Sequence, residues 1–419
     1  MTELLAFSWG TVGSVLLAIL ILLAMITVHE FGHYLVGKLL NFRINEFSIG
    51  FGPALFKRKN KRTGELFSVR LIPLGGYCAF DGEDGIEEPA EAPEDAFEEF
   101  SEPQTAAPET DMKDGLPEAE RLIRASSTTL QPKGEPFTKR PPWARILVLV
   151  AGAFMNYIFA VVLILIEFFA CGQTLIAVYE VAPAEGEYAV YSLADQDIIL
   201  EADGRGVYLT TDLLAALHGK KQGDLVPFTV SRVVEWAEEG VAKRRERTEV
   251  TVMLRADVKD ASSADTALLW RALGAAQDEE GNFLMANAAA KFGFFETVGR
   301  SFVYSFKIAG SIFRVLGELL TGRLGLDAFG GPVTTISMTA QLASMGVKYF
   351  LEIAGYIGVN LAVFNLLPIP ALDGSKIVFT AIEWIRGKPI PRKVEAVIHT
   401  AGFLLILGFA VLVDILQFV

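Results

Sequence analysis

Two histidines and a glutamate lie close together in the pattern His29-Glu30-Phe31-Gly32-His33. On an α-helix, residues four apart share one face, so His29 and His33 can each offer an imidazole nitrogen to one zinc ion. Glu30 lies beside them, where its carboxylate can take a proton from a water molecule that the metal activates. The pattern therefore predicts hydrolysis assisted by zinc.

The setting of this pattern is apolar, because no residue from 13 to 28 is charged. The same five-residue pattern also arises by chance on the solvated face of an ordinary helix. An ionisable side chain at membrane depth costs about 2.5 kcal/mol or more, so three of them in five positions need a compensating partner. A bound metal is the simplest such partner, and the setting favours the zinc interpretation.

Composition indicates a membrane protein that also carries a folded domain. The 419 residues are 52% hydrophobic, with a mean hydropathy of +0.38, which leaves room for several spans. Four apolar stretches predict transmembrane helices at about 11–38, 146–170, 349–367 and 397–413. The net charge of −13 is concentrated in residues 81–120, so it does not indicate a basic partner, and no nucleic-acid binding is expected.

A second polar group follows the third apolar stretch. Pro368 and Pro370 end that helix, because proline is poorly tolerated in a helix interior, and Asp373 comes directly afterwards. Asp373 can complete a His, His, Asp zinc site with one open position for water. Alternatively it only caps the next helix, but two histidines without a third ligand favour the metal. Asn365, before the break, can hold a substrate backbone or a developing oxyanion.

Residues 42–80 have the alternating pattern of β-strands, interrupted by glycine-rich turns at 50–53 and 75–76. A sheet this apolar can dip toward the metal site, where protein or a water-filled cavity must satisfy its backbone. It can equally lie as an amphipathic sheet on the membrane surface. The sequence leaves both placements open.

The polar region after the second span has short β-rich runs separated by turns. The order of strands around residues 193–199, followed by Asp203-Gly204, resembles a PDZ domain of the protease-associated kind, although Gln196 stands where a typical member has glycine. PDZ folds bind peptides by adding a strand to a sheet edge. The resemblance therefore implies a PDZ-like domain, and peptide binding stays an open question.

These patterns divide the chain into eight regions. They are a first transmembrane helix with the zinc motif (1–40), a membrane-associated β-region (41–80), an acidic cytoplasmic insertion expected to be disordered (81–138), a second transmembrane helix (139–171), a PDZ-like domain (172–256), a linker with an amphipathic membrane-surface helix (257–345), a third transmembrane helix with the Asp373 motif (346–385), and a basic cytoplasmic loop with a fourth transmembrane helix (386–419).

Basic residues indicate the orientation in the membrane. They cluster at 57–62, 139–145 and 386–393, and four spans put these clusters on one side, which the positive-inside rule makes cytoplasmic. Both termini and the PDZ-like domain are then extracytoplasmic. The ends of the first and third spans meet at the same depth, toward the cytoplasmic side.

Several motifs together look like the site-2 protease family of intramembrane zinc metalloproteases, in its bacterial RseP/RasP type. They are His29-Glu30-Phe31-Gly32-His33, Gly50-Phe51-Gly52-Pro53, Pro73-Leu74-Gly75-Gly76-Tyr77, Gly331-Pro332 and Asn365-Leu366-Leu367-Pro368-Ile369-Pro370-Ala371-Leu372-Asp373-Gly374. The expected fold class is a polytopic α-helical membrane protein with four transmembrane helices, a membrane-associated β-hairpin region and one extracytoplasmic PDZ-like α+β domain.

The resemblance also implies the roles of particular residues. His29, His33 and Asp373 would bind Zn²⁺, and Glu30 would be the catalytic base. The substrate would be held as an extended strand by a second group of residues, namely Asn365, Gly50, Gly52, Pro368 and Pro370.

The implied substrates are single-pass membrane proteins, such as anti-sigma factors and remnant signal peptides, in the inner membrane of a bacterium. An upstream protease of the site-1 type would cut them first, as in regulated intramembrane proteolysis. Two other classes stay open from the residues alone. One is a catalytically silent membrane scaffold with a PDZ-like domain, and the other is a metal transporter.

Overall fold

The computed structural model of the protein describes residues 9–83, 132–236, 242–258, 266–325 and 330–418. The acidic insertion predicted at 81–138 therefore lies mostly outside the described residues.

Ten α-helices and eight strands follow one another in the described parts of the chain. In chain order they are α1 (Trp9–Leu39), β1 (Ile44–Lys59), β2 (Leu66–Phe80), α2 (Pro142–Cys171), β3 (Gln173–Val178), α3 (Glu187–Val190), β4 (Ile198–Ala202), β5 (Arg205–Gly206), α4 (Thr210–Leu217), β6 (Leu225–Trp236), β7 (Ala242–Met253), α5 (Thr266–Leu273), β8 (Met285–Ala290), α6 (Phe294–Leu320), α7 (Pro332–Ser344), α8 (Val347–Leu366), α9 (Asp373–Arg386) and α10 (Arg392–Phe418).

Four of these helices are long and apolar enough to cross a membrane, as predicted. They are Gly13–Leu39 of α1, Pro142–Cys171 (α2), Val347–Leu366 (α8) and Lys393–Gln417 of α10. A helix satisfies its own backbone hydrogen bonds, which is why a bilayer accepts such segments in this form. Only 11% of the most apolar window of α10 is buried within the described part of the protein, so most of that window is exposed.

The chain forms two compact units. The first, called here the histidine unit, comprises Ile19–Met155 and Asn365–Phe403. The second, called here the sheet unit, comprises Asn156–Phe364 and the remaining ends of the chain.

In the histidine unit, β1 and β2 pair as a bent antiparallel ribbon. Ile44 faces Phe80 at one end, and Lys59 faces Leu66 at the other. The bend brings Phe47 of β1 beside both ends of β2. Its apolar core is a group of buried aromatic and aliphatic side chains: Phe42, Ile44, Phe47, Phe80, Phe137, Val148 and Leu149. Val148 and Leu149 belong to α2, so the ribbon is anchored on a helix that can span the membrane.

In the sheet unit, antiparallel strands are ordered β7-β6-β4-β3-β8, and β5 pairs with β4. One face of the sheet packs on α4 through the fully buried Leu213 and Leu217. Asp212 accepts hydrogen bonds from the backbone nitrogens of Tyr208 and Leu209 at the start of α4, both at 3.1 Å. This capping contact fixes where the helix begins.

The region 257–345, which the sequence suggested as a linker with a surface helix, contains helix α5 in its described part. Leu269 and Leu273 of this helix are buried in the same core as α4. Strand β8 follows and pairs with β3 from Gln173–Ala290 to Val178–Met285. The domain therefore continues beyond residue 256, because apolar side chains on one face of α5 complete its core.

Helix α6 covers the segment predicted as an amphipathic surface helix. Its Ile308 is buried with Ile164 of α2 and Val359 of α8. Phe295 and Phe306, on the other hand, are exposed. One face of α6 therefore packs on two candidate membrane helices, and these two phenylalanines are largely exposed in the described part of the structure.

Candidate metal centre

Helix α1 carries His29 and His33 one turn apart, and both side chains are buried. Their Nε2 atoms lie 3.1 Å apart, and the two rings meet edge to face with centroids 4.7 Å apart. This is the arrangement that the four-residue spacing predicts on a helix. Both nitrogens therefore point to one place.

Asp373, the first residue of α9, closes the group. Its Oδ2 lies 2.9 Å from Nε2 of His29 and 3.3 Å from Nε2 of His33. Within the described residues, these three side chains are the group whose ligand atoms could hold a metal ion.

The spacing of these atoms suits zinc. Zinc bonds to nitrogen and oxygen are about 2.0–2.1 Å long, which at tetrahedral angles puts ligand atoms about 3.3 Å apart. The three separations here are 2.9, 3.1 and 3.3 Å. Two imidazoles and one carboxylate form the donor set of a catalytic zinc site, which leaves a fourth position open.

Helix α2 orients the second histidine. Nδ1 of His33 donates a hydrogen bond of 2.8 Å to the main-chain oxygen of Val148, which leaves Nε2 as the ligand atom. A Cβ added at Gly152 would overlap His33, and one added at Gly32 would overlap the backbone of Ala151. Glycine at both positions therefore lets α1 and α2 approach closely beside the imidazoles.

Asn365, near the end of α8, lies beside the first histidine. Its side-chain amide is 3.4 Å from Nδ1 of His29. When Nε2 is the ligand atom, Nδ1 carries the proton, and an amide oxygen turned toward it would accept that proton in a hydrogen bond. The predicted substrate-holding residue thus borders the metal group and can also orient one of its members.

Glu30 is partly buried and lies against the β-ribbon. A Cβ added at Gly76 of β2 would be 3.3 Å from Cγ of Glu30 and 3.4 Å from a methyl group of Ile26. The ribbon therefore reaches the helix that carries the histidines. The ribbon thus approaches the helix that carries the site, and its depth relative to a membrane stays a prediction.

Gly50 and Gly52 form the turn in β1 with φ angles of +87° and +81°, which favour glycine. Arg70 braces this turn through its guanidinium, which donates to the oxygen of Gly52 at 2.9 Å, to Oε1 of Glu46 at 2.8 Å, to Oγ of Ser48 at 3.0 Å and to the hydroxyl of Tyr77 at 2.6 Å. Arg70 was not recognised from sequence, because an arginine on a strand has no distinctive spacing.

Pro368 and Pro370 follow the end of α8, and Asp373 begins α9. Between the two helices, the nitrogen of Ile369 donates a hydrogen bond to the oxygen of Leu367. A Cβ at Gly374 would overlap the oxygens of Leu366 and Leu367. Glycine after Asp373 therefore allows the chain to fold back on the helix it has just left, and this turn delivers the carboxylate to the histidines.

Comparisons with known proteins point to one peptidase family. A sequence model of peptidase family M50 matches residues 17–409. The regulator of sigma-W protease RasP of Bacillus subtilis is 28% identical, over 96% of this chain and 97% of the relative. The zinc metalloprotease RasP of Bacillus licheniformis is also 28% identical, over 95% of this chain and 97% of the relative.

Proposed function

The chain belongs to peptidase family M50, and from that premise we propose that this zinc metalloprotease cuts peptide bonds within the transmembrane segments of single-pass membrane proteins. The observation that carries the proposal is the group of three ligand atoms 2.9–3.3 Å apart. Two of them stand on a helix apolar enough to cross a membrane. Hydrolysis would therefore take place at membrane depth.

The two imidazoles and the carboxylate of Asp373 would hold the zinc through Nε2 of His29, Nε2 of His33 and Oδ2. When bound, zinc polarises a carbonyl oxygen and lowers the pKa of water, so that hydrolysis can proceed at neutral pH. Val148 and Asn365 would fix the orientation of the two imidazoles by engaging their Nδ1 atoms.

Glu30 would be the general base. It follows His29 directly, and a carboxylate next to the metal can take the proton of the attacking water. The same carboxyl group would then return the proton to the leaving amine, so that no other acid is required. Glycine at position 76 would add no side chain to the space beside Glu30.

The substrate would be held as an extended strand. A peptide bond inside a helix is shielded by the hydrogen bonds of that helix, so unwinding must precede attack. The turn at Gly50 and Gly52, braced by Arg70, and the segment from Asn365 to Pro370 would contact the unwound chain. Pro368 and Pro370 lack backbone N–H groups, so this segment would meet the substrate mainly through its oxygens and through Asn365.

The site would face the cytoplasmic side. The basic clusters at 57–62, 139–145 and 386–393 support this orientation through the positive-inside rule. A cavity of about 1170 Å³ lies in the histidine unit, with Ala371, Lys376 and His399 among its lining residues. Ala371 is two residues before Asp373, and this cavity would be the entry route for water.

The antiparallel domain of the sheet unit would be a PDZ-like domain outside the cytoplasm. It would screen substrates by size or hold them, and an upstream protease would first remove their outer domain. The printed name of the Bacillus subtilis relative, regulator of sigma-W protease, suggests anti-sigma factors as one substrate class. Remnant signal peptides, which are also short single spans, are the other.

The test uses purified protein in detergent with a truncated single-pass substrate. Zinc content and cleavage are measured for the unchanged protein, for Glu30→Gln, and for Glu279→Gln as a control in an exposed turn. We expect all three to contain zinc, and Glu30→Gln to lose activity by about 100- to 10,000-fold, the usual contribution of a general base.

Two results would contradict the proposal. Full activity of Glu30→Gln would exclude Glu30 as the base. If all three proteins contain zinc but none of them cleaves a truncated substrate, a scaffold or a transporter would be favoured instead. A matched substrate that retains a bulky outer domain tests the order of cleavage, because only the truncated form should be cut.

A further inference from the structure

The loop that delivers Asp373 to the histidines contains a strained residue. Ala371 has a φ angle of +78°, a left-handed conformation that residues other than glycine, asparagine and aspartate adopt rarely. Such strain persists only where surrounding contacts hold it. The contact that holds Ala371 therefore also sets the position of the carboxylate two residues later.

Backbone hydrogen bonds account for the other donors in this loop. Ile369 donates to the oxygen of Leu367 at 2.7 Å, and Leu372 donates to the oxygen of Ile369 at 3.1 Å. Pro368 and Pro370 have no N–H group. Ala371 differs, because its N–H donates to a side chain, Nδ1 of His399 on α10, at 3.1 Å.

Helix α10 is seated on the loop at this point. A Cβ added at Gly402 would overlap Pro370, so the helix backbone touches the loop directly. Residues three apart on a helix share a face, and His399 is therefore presented to the loop by the same surface. The phenyl ring of Phe379 on α9 meets the imidazole edge to face, with centroids 5.5 Å apart.

The second ring nitrogen of His399 lies near a carboxylate. Nε2 of His399 lies 3.9 Å from Oε1 of Glu395, one turn earlier on α10. Nδ1 accepts a hydrogen bond from the N–H of Ala371, so the neutral ring carries its own proton on Nε2, on the side of Glu395. The ring is thus oriented from both ends, as an imidazole that serves as a fixed acceptor requires.

We infer that His399 is a positioning residue for the metal centre: it holds Ala371 in its left-handed conformation and thereby keeps Asp373 within ligand distance of His29 and His33. The inference rests on the proposed function, because it concerns the third ligand of the same site. His399 itself stays outside the ligand group formed by those three residues.

The test measures zinc affinity of the purified full chain by competition with a chromophoric chelator, and the visible absorption of the cobalt-substituted protein. His399→Leu removes the acceptor, whereas His399→Asn places an amide oxygen where Nδ1 stands. His218→Leu is the matched control, because His218 is exposed in the sheet unit. We expect His399→Leu to weaken zinc binding by about 10- to 100-fold, as loss of a ligand-orienting contact usually does.

In His399→Asn, zinc affinity and the cobalt spectrum should be close to those of the unchanged protein. His218→Leu should also match the unchanged protein in both measurements. Zinc binding by His399→Leu equal to that of the unchanged protein would overturn the inference. Equal loss in the leucine and asparagine variants would also overturn it, because the acceptor would then not be the cause.

A second test measures whether the loss of zinc affinity in His399→Leu arises at Ala371. Ala371→Gly adopts the left-handed conformation without strain, so combining it with His399→Leu should recover part of the lost zinc affinity. No recovery in a folded double variant would contradict the inference. If the unchanged protein bound no zinc, the proposed metal site would fail first, and with it the reason for positioning Asp373.

Discussion

Nδ1 of His33 donates a hydrogen bond of 2.8 Å to the main-chain oxygen of Val148. In an α-helix the oxygen of residue 148 points toward residue 152, and residue 152 is glycine. A carbonyl oxygen has two lone pairs, so it can accept from the imidazole in addition to its helical partner. The absence of a side chain at Gly152 therefore opens this oxygen to His33.

Gly152→Ala tests this relationship. The new Cβ would overlap the imidazole of His33 and lie 2.8 Å from a ring carbon of His29, so one or both rings must move. We expect zinc affinity to fall by about 10-fold or more and the free energy of unfolding to fall by about 1–3 kcal/mol, as in other overpacked sites. Chelator competition and thermal unfolding in detergent measure the two effects.

Gly408→Ala is the control for that substitution. Gly408 is an exposed helical glycine of α10, and a Cβ there meets no atom within 4 Å. Alanine favours a helix by up to about 1 kcal/mol relative to glycine, so this variant should keep zinc and stability. Unchanged zinc affinity in Gly152→Ala would show that the imidazoles do not depend on this close approach.

Asp373→Ala tests the third ligand. Removing its carboxylate leaves two imidazoles, which do not complete the three protein ligands of a catalytic zinc site. We expect the purified variant to lose most of its zinc by elemental analysis, and Glu30→Gln to keep it. The difference between the two variants separates a metal ligand from a base, and normal zinc content in Asp373→Ala would assign the third ligand to another group.

Arg70→Gln tests the brace under the turn at Gly52. Glutamine cannot reach the four acceptors that the guanidinium joins, and a hydrogen bond from a charged donor contributes about 1.5–3 kcal/mol. We expect cleavage of the truncated substrate to fall about tenfold or more, with unchanged zinc content. Arg58→Gln, an exposed arginine of the same ribbon, is the matched control, and equal activity of both variants would remove the brace from the mechanism.

Much of this site could be predicted from the sequence, because its chemistry depends on local spacing. His29 and His33 share a helix face for the reason that any residues four apart do. Asp373 was predicted because prolines must end the preceding helix, and its carboxylate lies next to both imidazoles.

The other contacts of the site depend on where segments distant in sequence cross. The periodicity of the sequence does not indicate those crossings. Gly152, the oxygen of Val148 and His399 each act on residues more than 25 positions away. A small residue in an apolar helix is the signal that could have indicated Gly152, since close helix crossings favour glycine. Similarly, the apolar face of α5 lay in a polar segment too short to reveal its place in the domain core.

The Gly331-Pro332 motif of the sheet unit lies beside the carboxylate of Asp414, and substitution of Asp414 tests this contact. At the start of α7, the carboxylate of Asp414 on α10 accepts from the nitrogen of Val333 at 3.1 Å. It also accepts from the nitrogen and hydroxyl of Thr334, at 3.2 and 3.0 Å. A Cβ at Gly331 would overlap this carboxylate, so glycine is needed for the aspartate to reach the helix end.

Asp414 thus caps a helix that is remote in sequence, and an uncapped helix start leaves backbone donors without acceptors. We expect Asp414→Ala to lower the free energy of unfolding by about 1–2 kcal/mol and to speed hydrogen exchange at Val333 and Thr334. Asp414→Asn keeps one acceptor and should show a smaller effect. Zinc content should not change in either variant, and exchange rates equal to those of the unchanged protein would show that α7 does not depend on this cap.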